Sequence, residues 1–335
     1  MQSMTFGDLA GSFRTRLSNF QLKSEMQQLG QELASGKTAD LRAATRGDLG
    51  NYAGLESAIN GLAAYKFAAG EAALFTETIQ RSLESVQQTA SDLGSALLIA
   101  GSTGEATLVQ AAATDARTRF AGAVSMLNTK VADRAILSGT DTGSNALASS
   151  ETMLADLKIA IAAETTAAGV EAVVEAWFDD PGGGFETIGY TGGTTDLAPF
   201  RIGPDEQTTP TPRADDQNIR DALKGFAMAA LVSDGALPGD ITERVALIGL
   251  SATRLLAGDR ALTELRAEVG TVEGQIESAR VRNGAETSAL EIARAEIVRI
   301  DPDTAATRLQ AAEAQLESLY TITARLSRLS LAEYL

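Results

Sequence analysis

The residue types that most often carry enzyme chemistry are scarce in this chain of 335 residues. It has no His and no Cys, which excludes Ser-His-Asp and Cys-His catalysis, imidazole and thiolate metal sites, and disulfides. The remaining candidates are the carboxylate pairs Asp179-Asp180, Asp205-Glu206 and Asp215-Asp216. Such pairs could bind calcium or act in acid–base catalysis, but adjacent residues do not face each other and no DxDxDG loop accompanies them. We therefore interpret them as solvated surface groups.

Two glycine clusters, Pro181–Gly184 and Gly189–Gly193, are the only other segments with the composition of a ligand-binding loop. Neither continues into Gly-Lys-Ser/Thr, and no GxGxxG follows a strand pattern, so turns are the better interpretation. Trp177-Phe178 is a strong aromatic pair, for which a core anchor is favoured over a ligand platform. The sequence thus predicts no catalytic residue, no cofactor, no metal and no enzymatic activity.

Composition restricts the partners. The chain has 28 basic and 44 acidic residues and a formal charge of −16, which argues against nucleic acid or an anionic membrane as a partner. No segment approaches the ~18–20 apolar residues of a membrane helix. The opening MQSMTFGDLAGSF lacks a basic head and an apolar run, so we expect no secretory signal peptide.

Charge and proline divide the chain into two flanks and a middle. Residues 141–240 carry 17 acidic and 5 basic residues, and six of the seven prolines lie between Pro181 and Pro238. Because proline interrupts helix interiors, the flanks are predicted to be helical and the middle irregular. Strands are expected at Phe185–Tyr190 and Leu197–Ile202, with shorter helices at 152–163, 170–178 and 218–232.

The elements that must position any functional surface are long amphipathic helices. Phe13, Leu17 and Phe20 recur at helical spacing, and a second stripe from Leu22 to Leu33 is displaced sideways from the first, which predicts one continuous helix with a stutter. Ser35-Gly36-Lys37 reads as its end, with Gly36 at positive φ. Further helices are predicted at roughly 50–100 and 105–136.

The longest regular pattern lies near the C-terminus. Apolar residues alternate at spacings of three and four from Val269 to Ile300, with Asn283 and Glu286 as polar interruptions. This is a coiled-coil seam in which the polar residues are expected to set the register. Asp301-Pro302 then has the form of an N-cap and first helical residue, so a new helix should begin there.

The predicted fold is mainly α: an antiparallel helical bundle or coiled-coil rod made by the two flanks, with a small α+β insert. We expect terminal helices at 1–45 and 301–335, a rod at 46–140 and 241–300, and an acidic, Gly/Pro-rich surface domain at 141–240. The amphipathic ends are interpreted as packing surfaces for other copies of the chain. The residues predicted to pack are Phe13, Leu17, Phe20, Met26, Leu29, Leu33, Leu316, Leu319, Ile322, Leu326, Leu329, Tyr334 and Leu335.

Four segments resemble a known family. Leu29–Lys37 is similar to a leucine-rich helix that ends in a Ser-Gly-basic turn, and Leu127–Thr142 to the segment that closes an N-terminal rod. Ile300–Ala305 looks like the acidic break before a last helix, and Thr323–Leu335 like a Ser-Leu-x-x-Tyr-Leu tail. In this order they resemble the flagellin superfamily, and within it the hook-associated junction type. The family's Asp-Asp-Ala-Ala motif is replaced here by Thr38–Ala44.

The resemblance implies a structural protein of the bacterial flagellum that self-assembles at the junction of hook and filament. Implied partners are other copies, a hook-side junction protein, flagellin on the filament side, and an export chaperone on the C-terminal helix. It also implies secretion to the extracellular flagellum through type III export, without a cleaved signal peptide. A filament-forming flagellin is the alternative, and a helical enzyme with its site in the insert is a remote one.

Overall fold

The computed structural model describes residues 6–209 and 212–332, and their side chains except those of residues 6–9, 12 and 326–332. The predicted fold class is confirmed, because long helices dominate these residues and the strands are short. The helices are α1 (Phe6–Ser35), α2 (Leu41–Ala44), α3 (Gly50–Thr103), α4 (Ala106–Leu127), α5 (Ser150–Ala160), α6 (Ala167–Asp179), α7 (Gln217–Ser233), α8 (Ile241–Val298) and α9 (Pro302–Ala332).

The strands form two small antiparallel pairs. β1 (Lys130–Val131) pairs with β2 (Arg134–Ala135), and β3 (Phe200–Arg201) pairs with β4 (Gln207–Thr208), with Phe200 opposite Thr208. Contacts divide the described chain into two compact units. One contains residues up to Ala63 and from Ala285, and the other contains residues 64–284. No helix in the described ranges is long and apolar enough to cross a membrane.

The core of the 64–284 unit surrounds α7. Side chains on every side of this helix are buried, from Ala222 to Val232, as expected for a helix without a polar face. Two glycines let its backbone approach α8 closely. A Cβ on Gly258 would lie 2.7 Å from the Cα of Ala222, and one on Gly225 would lie 2.7 Å from the Cγ of Leu255.

The acidic middle of the chain is part of this same core. Residues 141–240, expected as a surface domain, contribute buried side chains from α5, α6 and α7 to one cluster with α3, α4 and α8. Trp177 and Phe178 are buried there, with ring centroids 4.7 Å apart, and the Trp177 Nε1 donates to the Asp156 carboxylate at 2.7 Å. They are the core anchor that the sequence favoured, and their burial leaves no aromatic platform for a ligand.

Three predicted elements differ in the structure. Phe185–Tyr190 is not a strand: Phe185–Gly189 is a π-helix closed by the Tyr190 N–H, which donates to the Phe185 carbonyl at 2.6 Å. Of the predicted strand Leu197–Ile202 only Phe200–Arg201 is paired. The helix predicted to reach residue 136 ends at Leu127, and the side chain of the next residue, Asn128, bonds both the N–H and the carbonyl of Leu147.

The other unit is built on α1 and α9, which pack against each other. α1 ends at Ser35, where Gly36 has φ of 70°, as predicted. α9 begins at Pro302, also as predicted: the Asp301 carboxylate accepts from the Asp303 N–H at 3.2 Å and from the Thr304 hydroxyl at 2.6 Å. Both caps supply partners for backbone groups that a helix end leaves unpaired.

Candidate assembly surface

Helix α1 carries apolar residues on two opposite faces. Leu29 is buried, while Leu22, Met26 and Leu33 are half-buried on the side toward α9. Phe13, Leu17 and Phe20 have 68%, 46% and 72% of their surface exposed. At about 100° per residue the two sets lie roughly 180° apart. The sideways step in the sequence stripe is therefore a change from an outward face to an inward face of one continuous helix. We call Phe13, Leu17 and Phe20 the outer ridge.

The face of α9 toward α1 is apolar and tightly packed at its beginning. Ala305 and Ala312 are buried, and Leu309, Leu316 and Leu319 are half-buried. Ile322 is 54% exposed at the edge of this face. The side chains of Leu326 and Leu329, and residues Tyr334 and Leu335, lie outside the described residues.

A groove lies between α1 and α9 on one side of the pair. It has a volume of about 330 Å³ and is lined by Ser18, Leu22, Ala314, Gln315, Ser318, Leu319 and Ile322. Of these residues Leu22 and Leu319 are half-buried, whereas Ala314 and Ser318 are exposed. We call this feature the inter-helix groove. Its α1 residues, Ser18 and Leu22, lie roughly 150° around the helix from the outer ridge.

The polar residues on the inner face of α1 help to hold α9. The Lys23 ammonium lies 5.9 Å from the ring centroid of Tyr320, within range of a cation–π attraction. A hydrogen bond from Lys23, followed by one from Asn19, lowers the pKa of the Tyr320 hydroxyl below its usual value. Lys23 and Asn19 of α1 thus contact Tyr320 of α9 at the exposed side of the helix pair.

A clasp ties the base of the helix pair together. The nearly buried Glu32 carboxylate accepts from the Ala39 N–H at 2.8 Å and from the Gln28 amide at 3.2 Å. The Thr38 N–H donates to the Val298 carbonyl at 2.8 Å, and the Ile300 N–H to the Gly36 carbonyl at 3.2 Å. The chain leaving α1 is thereby bonded to the chain entering α9.

The carboxylate pairs do not converge on a common site. Asp179 contacts Lys224 and Arg220, while Asp215 pairs with Arg213 at 2.9 Å. Asp216 caps α7, accepting from the Asn218 N–H at 2.8 Å, and Glu206 pairs with Arg282. Asp180 and Asp205 are exposed. Within the described residues no group of three or more acidic side chains is placed to hold a metal ion.

The two polar seam residues behave differently. Asn283 is buried, and its amide donates to the Ile202 carbonyl at 2.7 Å. Glu286, one turn further along α8, is exposed. Of the two, only Asn283 fastens α8 to another segment, the β3–β4 hairpin.

The structure brings together fewer of the predicted packing residues than expected, and it adds others. Met26, Leu29, Leu33, Leu316 and Leu319 lie between α1 and α9, whereas the outer ridge points away from α9. The groove residues Ser18, Ala314 and Ser318 and the clasp residue Glu32 were missed. Small and polar residues carry no hydrophobic periodicity, so the apolar stripes of the sequence do not reveal them.

Comparison with known proteins agrees with this architecture. Residues 259–335 match the family model of the bacterial flagellin C-terminal helical region. The resemblance to the flagellin superfamily is thereby confirmed for the stretch that contains the C-terminal part of α8 and all of α9.

Two solved structures share the fold. The crystal structure of Bacillus cereus FlgL has a TM-score of 0.52 at 12% identity, covering 72% of this chain and all of that one. A putative flagellar hook-associated protein from Vibrio parahaemolyticus has a TM-score of 0.51 at 12% identity, covering 72% of this chain and 94% of that one. No curated protein matches the sequence significantly.

Proposed function

We propose that this chain is a structural component of the bacterial flagellum, an adaptor of the hook-associated protein 3 type that joins hook to filament and carries out no catalysis. The observation that carries the proposal is the outer ridge of α1. Its three large apolar side chains point away from α9. The match to the flagellin C-terminal helical region and the fold shared with the two solved structures support the flagellum as the assembly.

The energetics of the ridge favour a partner. Fully burying a Phe or Leu side chain contributes roughly 1.5–3 kcal/mol, and the partial exposure of Phe13, Leu17 and Phe20 forfeits much of that in the isolated chain. The same side chains on the surface of a terminal helix would be buried in a tube of packed helices.

The distribution of charge also favours the terminal helices as the region where copies meet. Helices α1 and α9 each contain three basic and three acidic residues, so each sums to zero in a chain of formal charge −16. Like-charged copies repel one another through the rest of their surface. The terminal pair is a place where copies can approach without that repulsion.

The proposed partners are other copies of the chain, a hook-side junction protein, and flagellin on the filament side. An export chaperone would cover the C-terminal helix before assembly. The proposed location is the extracellular flagellum, reached unfolded through the type III export channel without cleavage of a signal peptide. A filament-forming flagellin remains the second candidate, because the matched family model is that of flagellin.

Deleting the gene and imaging cells by electron microscopy tests the proposal. If the chain is an adaptor, the deletion strain should form hooks, while filaments should be absent or shed into the medium. Loss of filament subunits themselves, with purified protein growing into long filaments, would instead identify a flagellin. Normal flagella in the deletion strain would contradict both.

A point substitution tests the ridge itself. Phe20→Asp should leave monomer stability within about 0.5 kcal/mol, because the side chain is already exposed, yet abolish incorporation, since a carboxylate in a packed helical tube is costly. Gln21→Asp is the matched control: it adds the same charge at an exposed neighbour about 100° around the helix. Equal effects of both variants on assembly would exclude the ridge as a packing surface.

A further inference from the structure

A polar pocket adjoins the clasp. It lies within the unit built on α1 and α9, where the ends of α1 and α8 meet α2 and the start of α9. Its volume is about 430 Å³, whereas a water molecule in the liquid occupies about 30 Å³, so the pocket has room for a small organic group. We call it the clasp pocket. Its polar lining includes Glu32, Thr38, Asp301, Thr304 and Arg308.

Glu32 brings a nearly buried charge to this pocket, since only 9% of its surface is exposed. Its Oε1 accepts from the Ala39 N–H at 2.8 Å and from the Gln28 amide at 3.2 Å. Its Oε2 accepts no hydrogen bond from the described residues, and this atom is not sealed from solvent. Burial of a carboxylate is costly unless its charge is paired. A positively charged donor at Oε2 would supply that pairing.

The basic side chains around the pocket do not supply this charge. Arg299 and Arg308 also line the pocket, but within the described part of the chain neither forms an ion pair with Glu32. Arg299 pairs with Glu296 at 3.1 Å, and Arg308 is exposed. With Asp301, the lining contains three carboxylates and two guanidinium groups. The pocket is therefore negative in balance and suits a cation.

We propose that the clasp pocket binds a primary ammonium group at the Oε2 of Glu32. A guanidinium group pairs best with both oxygens of a carboxylate, and Oε1 is already occupied by the clasp. A calcium ion takes about six to eight oxygen ligands, and among the described residues no group of three or more acidic side chains is placed to hold a metal. An ammonium group has three N–H donors, for which the hydroxyls of Thr38 and Thr304 are further acceptors in the same pocket.

Two sources carry such an ammonium group: a free alkylamine and the lysine side chain of another protein. Both present the same donor, and they differ in the bulk attached to it. The pocket and its ligand are independent of the proposed role in the flagellum.

Hydrogen exchange of the purified full-length chain tests the pocket. The chain is titrated with butylammonium chloride at constant ionic strength, and amide exchange in residues 36–44 is measured by mass spectrometry. The Ala39 N–H is bonded to Glu32, so a ligand that binds only the closed clasp slows its exchange. At about twice its Kd the ligand should slow exchange about threefold. Tetramethylammonium has the same charge but no N–H donor, and it should leave exchange unchanged.

Two variants locate the bound ligand. Glu32→Gln keeps an oxygen for the Ala39 N–H but removes the charge, so butylammonium should no longer slow exchange. Ala44→Leu narrows the pocket from an exposed position and leaves the carboxylate in place; it should weaken the response even if Glu32→Gln opens the clasp. Glu25→Gln is the matched control, at an exposed position of α1 outside the pocket, and should respond as wild type does.

Failure of butylammonium to slow exchange, or equal slowing by tetramethylammonium, would overturn the proposal. Undiminished slowing in Glu32→Gln or in Ala44→Leu would also overturn it. A further titration with Nα-acetyl-lysine methylamide, in which peptide groups flank the lysine side chain, separates the two sources. Slowing by this compound would assign the pocket to a lysine of another protein, and slowing by butylammonium alone would assign it to a free amine.

Discussion

The amide of Asn283, on α8, donates a hydrogen bond of 2.7 Å to the backbone carbonyl of Ile202. Both residues are buried, and the bond ties the β3–β4 hairpin to the long helix. Beside it, Ile202 packs with Ala69, Ala72, Ile276 and Ala279 in a small apolar cluster. The polar residue in the apolar seam thus specifies where the hairpin attaches along α8.

Asn283→Asp should destabilise the 64–284 unit by about 1–3 kcal/mol at neutral pH, because a carboxylate oxygen would replace the donor and face a carbonyl oxygen. Burial and the lost bond would raise the folded pKa of the new carboxyl above its unfolded value of ~3.9. The folded state then binds more protons, so the destabilisation should shrink as pH falls through the folded pKa. Denaturant unfolding at several pH values measures this against wild type.

The matched control for that variant is Gln275→Glu, which adds the same charge at an exposed position of α8. It should change stability by less than about 0.5 kcal/mol. A loss for Asn283→Asp that does not depend on pH would contradict the donor role.

Phe226→Ala should destabilise the same unit by about 3–5 kcal/mol, since the ring is fully buried on α7. Because α7 and α4 share one core, amide hydrogen exchange should accelerate in both helices together. Phe67→Ala removes an equal side chain that is 76% exposed and should have little effect. Faster exchange confined to residues 141–240 would mean that the acidic middle folds separately.

Glu32→Ala should loosen the clasp at the base of the terminal helices. Removing the acceptor leaves the Ala39 N–H without its carboxylate, a loss of about 1–2 kcal/mol. Hydrogen exchange should increase in residues 36–44 more than in α4. Glu25→Ala, at an exposed position on the same helix, is the control. Similar exchange patterns in both variants would show that the Glu32 contacts do not stabilise residues 36–44.

Asp179→Asn should reduce the acid sensitivity of folding. Burial alone would raise the pKa of Asp179, but hydrogen bonds from Lys224 and Gln217 and the charges of Lys224 and Arg220 outweigh it and lower the pKa. A lowered folded pKa means stability that is present above the unfolded value of ~3.9 and lost as pH falls through the folded pKa. The variant should therefore be less stable than wild type at pH 7, with the difference narrowing toward pH 3.

Asp180→Asn is the control for that experiment, because its carboxyl is adjacent and exposed. Thermal unfolding of the two variants across the acidic range separates the effect of the Lys224 contact from a general change of net charge. A difference in stability between Asp179→Asn and wild type that stays constant with pH would contradict a lowered pKa of Asp179.

The elements that the sequence predicted well were those set by local chemistry. Gly36 ends α1 and Asp301-Pro302 begins α9 through backbone conformations and caps that a few adjacent residues dictate. The long helices were likewise visible, because their periodicity extends over many turns. The mainly α fold class follows from these helices.

The elements that could not be predicted depend on distant contacts. The segment that begins at Phe185 is short, apolar and aromatic, which is a composition typical of a strand. In the structure the Phe185 ring stacks on the Phe178 ring with centroids 5.3 Å apart, and the backbone forms a π-helix around that contact. The orientation of the outer ridge also depends on α9, since the stripe alone does not say which face of α1 has a partner. The groove exists only where two helices from opposite ends of the chain meet.

That pairing of the first long helix with the last has a consequence for the order of folding. Closing a loop from Lys37 to Arg299 in an unfolded chain costs about 5 kcal/mol of entropy from its length alone. Folding of residues 64–284 brings α3 and α8 together at Ala69 and Ala279, which leaves only two short arms to join. We therefore expect α1 and α9 to pair only after the 64–284 unit has folded, and the inter-helix groove to form with that pairing.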